Sequence, residues 1–265
     1  MPHKFNAQKR IMKSYQKDLA VLLAESQALF FKDGLTLKDG RPTPYFVNFG
    51  LFRTGRLVSE LGRIMAEYIM DQGLQEKFDV LVGPSYKGSA LAVATVNALW
   101  SNHRVDRAFD YDRKEAKTHG EASQIAARFV TGALHDGCRV LIIDDVVTTM
   151  ATKFDILSLL TEEATARGHS YDPAGVVLYM DRQQTTAVHD KRNQLVPGER
   201  GQDAVKNFKA VTGLSVGAIL GINQTIDYLR EARIPVSQNG KLEPLHENTV
   251  RKFKDYLEIY GTVAE

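Results

Sequence analysis

The stretch from Arg139 to Lys153, RVLIIDDVVTTMATK, constrains the fold of this chain more than any other. Val140 to Ile143 form a short apolar run rich in β-branched side chains. Asp144 and Asp145 follow at once, and Val146 to Thr152 supply hydroxyl-bearing residues before a helical pattern begins at Lys153. That order predicts a buried strand, a turn and a helix start. In an open parallel sheet ligands lie beyond the carboxyl ends of the strands, so two acids and a Thr-rich loop at that point describe a sugar-phosphate site. The carboxylates suit ribose hydroxyls, and the loop amides with Thr148, Thr149 and Thr152 suit a phosphate. The same residues have a plainer use, in which the acids end a buried strand and Thr148 or Thr149 caps the helix. Other stretches have to decide between the two.

With 265 residues, 43% of them hydrophobic and 25% charged, the chain has the makeup of a soluble globular protein able to bury a real core. A net charge of +2 gives no global argument for nucleic acid or a membrane surface. The single cysteine, Cys138, forms neither an internal disulfide nor a thiolate metal cluster, which fits a reducing compartment. The basic start MPHKFNAQKR leads into an amphipathic segment, and no apolar run approaches a membrane span. A cytoplasmic protein is expected.

Along the chain, Ile11, Tyr15, Leu19, Leu22, Leu23 and Phe30 recur at helical spacing and predict an N-terminal helix. Residues 30–56, punctuated by Gly34, Gly40, Pro42 and Pro44, read as a hood of small strands and loops, with Lys38 and Arg41 on its turn. A helix over Leu57–Met70 precedes a strand over 78–82, which runs into GPSYKGS and a helix over 90–100. Lys87 lies where a helix N-terminus and a cation could jointly hold a second phosphate. A strand over 105–111 leads to DRKEAKTHGEAS, whose Arg113, Lys114, Lys117 and His119 suit a polyanion or, more plainly, solvent. Beyond Lys153 a helix to Thr165 is expected, then a strand over 174–180 that ends at Arg182, where a guanidinium could grip a carboxylate. Residues 190–203 read as a polar loop, 204–212 as a helix, 214–220 as a last strand and 223–231 as a helix. A Gly/Asn turn and a helix over 248–259 close the chain. One α/β unit over 1–234, a central mainly parallel sheet flanked by helices with a small N-terminal β hood, is expected, with an extension over 235–265 packed on or beside it.

Taken in order, FKDGLTLKDGRPTPYFVN, VLVGPSYKGSALA, DRKEAKTHGE, VLIIDDVVTT and VVLYMDRQ resemble the orotate phosphoribosyltransferase family over about residues 28–232. The acidic motif alone marks only the wider type I phosphoribosyltransferase superfamily, whereas RKEAK..HGE with GP.YKG and LK.GR is specific to the orotate branch. The resemblance implies a type I phosphoribosyltransferase fold and transfer of ribose 5-phosphate from phosphoribosyl diphosphate to N1 of orotate, in pyrimidine (UMP) synthesis.

By that resemblance Asp144 and Asp145 hold the ribose 2′- and 3′-hydroxyls, and Val146, Val147, Thr148, Thr149, Met150, Ala151 and Thr152 surround the 5′-phosphate. Lys38, Tyr86 and Lys87 line the diphosphate side. Arg113, Lys114, Lys117 and His119 belong to a loop that closes over the diphosphate, partly from the neighbouring subunit of a homodimer. Phe46 and Val47 flank orotate, and Thr148 and Arg182 bind its polar edge. The catalytic residues implied are Lys117, His119, Asp144 and Asp145. Mg²⁺ is implied as a cofactor carried mainly by phosphoribosyl diphosphate, with no protein cage. Positive charge developing on the ribose ring and negative charge on the departing diphosphate agree with those positions.

The chain departs from the family pattern at three places. Met150 and Ala151 stand where the phosphate loop has Gly and Thr, a change capable of forcing a different backbone. Val47 replaces an aromatic, and Ala122-Ser123 replace a Gly pair after HGE. The rival readings are a phosphoribosyltransferase for another base and a phosphoribosyl-diphosphate-binding regulator. The retained loop cations and Arg182 speak against both. Nothing resembling an orotidylate decarboxylase partner follows, so a fused synthase is not expected.

Overall fold

The computed structural model describes residues 11–114, 128–147 and 149–263. Helix α1 (Ser14–Glu25) is shorter than the apolar spacing suggests. The chain turns through Gln27 at φ 55°, so Phe30 lies in a strand, while Ile11 precedes the helix and stands 90% exposed. Strands β1 (Leu29–Thr36) and β2 (Pro42–Val47) pair antiparallel, as the hood reading expects. Helix α2 (Gly55–Asp71) starts from a Thr54 side chain that accepts the Leu57 N–H.

Strand β3 (Val80–Val82) runs into helix α3 (Lys87–His103) and then β4 (Ala108–Asp110). The apolar run around Val140 is the middle of a ten-residue strand, β5 (Cys138–Val147), followed by helix α4 (Ala151–Arg167) and β6 (Tyr171–Asp181). Helix α5 (Ala204–Thr212), β7 (Val216–Gly221) and α6 (Ile222–Glu231) complete the unit. The sheet order is β4-β3-β5-β6-β7, every pair parallel.

Alternation along the strands feeds two apolar layers. Leu81, Leu141, Ile143, Val177 and Tyr179 pack with α1, α2, α3 and α6 on one face. Val80, Val82, Val140, Ile142, Val176 and Leu178 pack with α4 and α5 on the other. A sheet covered on both faces requires strands apolar on both sides, which is why the Val140 run does not alternate with polar residues. The chain steps outward from β3 to β4 and then returns to the opposite side of β3 with β5. The order reverses there, so a crevice opens between the carboxyl ends of β3 and β5.

Residues beyond 234 extend the hood. Strands β8 (Val236–Gln238) and β9 (Lys241–Glu243) form a hairpin through Asn239 and Gly240, both at positive φ, and β8 pairs parallel with β1. Helix α7 (Glu247–Tyr260) lays Phe253 and Tyr256 against Tyr45, with ring centroids 5.3 and 6.0 Å away. Three-residue strands leave no periodicity to read, so sequence reasoning found only the turn and the helix.

Candidate active site

Asp144 and Asp145 lie near the carboxyl end of β5 and are each 8% exposed. Asp144 Oδ1 accepts the Asp145 N–H at 2.9 Å, and its Oδ2 meets Lys153 Nζ at 2.5 Å and Thr152 Oγ1 at 3.4 Å. Asp145 Oδ1 accepts the Val146 N–H at 2.7 Å, while Oδ2 faces Lys87 Nζ at 3.3 Å. Burial, and then the neighbouring Asp144 charge, push the Asp145 carboxyl above its ordinary value, against the pull of Lys87.

Past β5 the loop turns at Met150, at φ 60° and ψ 3°, the left-handed region that glycine occupies freely. Met150 thus keeps a glycine-like backbone rather than replacing it with another. Its side chain is 2% exposed and joins Val147 and Ile156 in the apolar layer, and this burial offsets a conformational cost of about 1–2 kcal/mol. Ala151 and Thr152 open α4, exposed with Thr149, where helix N-terminal amides suit an anion. Thr148 lies outside the described residues, as do Lys117 and His119.

Across the crevice, the loop after β3 is held tightly. A Cβ on Gly83 would stand 1.9 Å from the Gly88 carbonyl oxygen, so only glycine lets the two backbones meet. Asp112 Oδ1 accepts the Ser85 N–H at 2.5 Å, and the Ser85 hydroxyl donates to the Asp112 carbonyl at 2.6 Å. Tyr86 precedes α3 and is 79% exposed, with Lys114 Nζ 5.9 Å from its ring and 3.3 Å from Asp112 Oδ2. The Arg113 N–H donates to the Arg128 carbonyl at 2.8 Å. The Arg113 side chain turns to the carbonyls of Phe129 and Val130.

At the end of β6, Arg182 is 4% exposed and stacks 5.1 Å from the Tyr45 ring centroid and 5.9 Å from that of Phe46. Among the described residues its Nε and Nη2 are buried without a hydrogen-bond partner. Phe46 is half-buried, whereas the Val47 side chain points into the apolar layer, as alternation along β2 requires. Lys38 is exposed at the β1–β2 turn. The structure therefore gathers Asp144, Asp145, Lys87 and the loop to Thr152 around one crevice, and joins Arg182 to Phe46.

A phosphoribosyl transferase domain model matches residues 51–193. An orotate phosphoribosyltransferase from Saccharophagus degradans is 37% identical over 218 residues, covering 82% of this chain and 90% of the relative. One from Chromohalobacter salexigens is 34% identical over 244 residues, covering 92% and 95%. The crystal structure of orotate phosphoribosyltransferase from Francisella tularensis superposes with a TM-score of 0.67 at 28% identity, covering 95% of this chain and 98% of that one. The chain belongs to the orotate phosphoribosyltransferase family.

Within that family frame, sequence reasoning missed two buried cations. Lys153 is 3% exposed and paired with Asp144. A lysine in the first turn of a helix opposes the helix dipole, and that conflict was its one sequence signal. Arg41 is fully buried; it pairs with Asp39, donates to the Thr185 carbonyl at 2.7 Å and lies over the Tyr260 ring, tying the hood turn to α7 and the loop after β6.

Proposed function

We propose that this chain transfers ribose 5-phosphate from phosphoribosyl diphosphate to N1 of orotate, releasing diphosphate and orotidine 5′-monophosphate. The observation that carries the reading is Arg182, a buried guanidinium with two unpartnered donor nitrogens beside Phe46, one strand away from the acid pair. A buried donor without a partner is costly, and a carboxylated aromatic ring supplies both the acceptor and the stacking surface.

In this reading the acids bind the ribose hydroxyls and stabilise the cationic character of the ring as the anomeric C–O bond breaks. The N-terminus of α4 and Thr149 and Thr152 hold the 5′-phosphate. Lys87 faces the diphosphate with Lys114, and Lys117 and His119, which lie outside the described residues, are assigned to pair with or protonate the leaving group. Among the described residues no group of three or more His, Cys, Asp or Glu is placed to hold a metal. Two carboxylates, each already facing an ammonium, would suit a Mg²⁺ carried mainly by phosphoribosyl diphosphate rather than by a protein cage. Such an ion would supply charge neutralisation for the departing diphosphate. A homodimer that shares the closing loop and a cytoplasmic location complete the proposal; among the described residues no helix is long and apolar enough to cross a membrane.

The test is the loss of orotate absorbance with phosphoribosyl diphosphate and Mg²⁺, for the wild type and for Arg182→Met and Lys117→Ala. Turnover that collapses in Lys117→Ala, with a raised orotate KM in Arg182→Met, supports the assignment. Saturable binding of phosphoribosyl diphosphate without turnover sinks it.

A further inference from the structure

The two acids at the end of β5 have unequal surroundings. Asp144 is held on both oxygens, by the Asp145 N–H on one and by Lys153 Nζ and Thr152 Oγ1 on the other. Asp145 has a backbone partner on one oxygen, and among the described residues the other faces only Lys87, whose side chain is 57% exposed and free to be drawn away by a substrate. The Lys153 side chain, by contrast, is 3% exposed, and its second contact is the Val146 carbonyl at 3.4 Å. Neither partner of the Lys153–Asp144 pair can leave without stranding a buried charge.

We propose that Lys153 is a positioning residue for phosphoribosyl diphosphate, its buried ammonium fixing Asp144 as a rigid, charge-compensated support so that Asp145 is the carboxylate that exchanges its partner for the ribose hydroxyls. This rests on the reading above, in which the acids face the ribose. A lysine in the first turn of α4 sets a full positive charge against the positive end of the helix dipole, an arrangement that local stability alone does not favour. Placed there, the charge lies between the acid pair and the helix N-terminus assigned to the 5′-phosphate. Without Lys153, two adjacent buried carboxylates would meet a polyanion with Lys87 as their one side-chain counter-charge among the described residues. With it, each carboxylate has its own ammonium, and only the exposed one yields on binding.

The experiment measures calorimetric binding of Mg²⁺ and phosphoribosyl diphosphate to the full chain without orotate, together with KM for each substrate. Lys153→Met is expected to weaken phosphoribosyl diphosphate binding and raise its KM by about tenfold or more, with the orotate KM within about twofold of wild type. Lys153→Ala is expected to recover binding in propylammonium chloride but not in tetramethylammonium chloride, which cannot enter the space left by the side chain or donate a hydrogen bond. Unchanged binding in folded Lys153→Met, equal losses for both substrates, or no amine-specific rescue would overturn the proposal. Loss of the cooperative fold in both variants would do the same, since the role would then be structural. Because binding is read without orotate, a wild type that binds but does not turn over orotate refutes the proposed reaction and leaves this test standing.

Discussion

Lys87 Nζ lies 3.3 Å from Asp145 Oδ2, a contact that bridges the start of α3 and the end of β5 across the switch point of the sheet. Asp145 is pushed upward by burial and by Asp144, and Lys87 is the first of the groups that pull it back. Removing the ammonium therefore lets Asp145 take up a proton at a higher pH. In Lys87→Ala the acid limb of kcat/KM for phosphoribosyl diphosphate should move to higher pH, modestly because the lysine is solvent-screened. A pH–rate profile checks it. An unmoved or lowered limb would show that the contact does not govern the carboxylate.

Met150 couples a strained backbone to a buried side chain, and the two can be separated by substitution. Truncating a buried methionine costs about 2–5 kcal/mol, and a left-handed non-glycine residue costs about 1–2 kcal/mol. Met150→Gly loses the first and recovers the second, for a net loss of about 0–4 kcal/mol. Met150→Ala loses packing and keeps the strain, so it should be the less stable variant by about 1 kcal/mol, the reverse of the usual order of Ala and Gly near a helix. Urea unfolding of the three proteins decides it, and a more stable Met150→Ala would disprove the left-handed turn.

What was legible in the sequence was local. The Val140–Asp145 junction declares a buried strand and its chemistry within six residues, and Arg182 declares itself by following a strand. What was not legible depends on partners distant in the chain. Lys153 looks like any helix-opening lysine until the end of β5 is placed above it, and Arg41 looks solvated until Thr185 and Tyr260 are brought over it. The helical spacing of Tyr15, Leu19, Leu22 and Leu23 extends by coincidence to Ile11 and Phe30, because periodicity registers neither the start at Lys13 nor the left-handed turn at Gln27 that follows the helix. Strands β8 and β9 are set by pairing with β1 rather than by pattern.

The loop that carries Lys87 depends on an approach between backbones. A methyl group at Gly83 would collide with the Gly88 carbonyl at 1.9 Å, and neither atom belongs to a side chain that could swing aside. Gly83→Ala must displace the Pro84–Lys87 segment, so the KM for phosphoribosyl diphosphate is expected to rise by about tenfold or more, as misplacing a binding group commonly does. Gly55, where a Cβ meets open space, is the control, and Gly55→Ala should bind as wild type. Comparable KM values in the two variants would mean that the loop is not held as described.

At the opposite end of the sheet, away from the crevice, the Asp79 carboxylate accepts the Arg139 backbone N–H at 2.9 Å and its guanidinium at 2.7 and 3.0 Å, joining the approach to β3 with β5. Those hydrogen bonds hold Asp79 down at about 2, from an ordinary value of 3.8. A carboxyl depressed by folding contributes stability that is complete above its unfolded value and is lost as pH falls through its folded value, so this contribution fades between about pH 4 and pH 2. Thermal melts of wild type and Asp79→Asn should differ most near neutral pH, with wild type the more stable, and should converge as the pH drops through that window. The half-exposed position of both side chains keeps the difference modest. A gap that stays constant or widens on acidification would mean that the folded chain does not hold this carboxylate ionised.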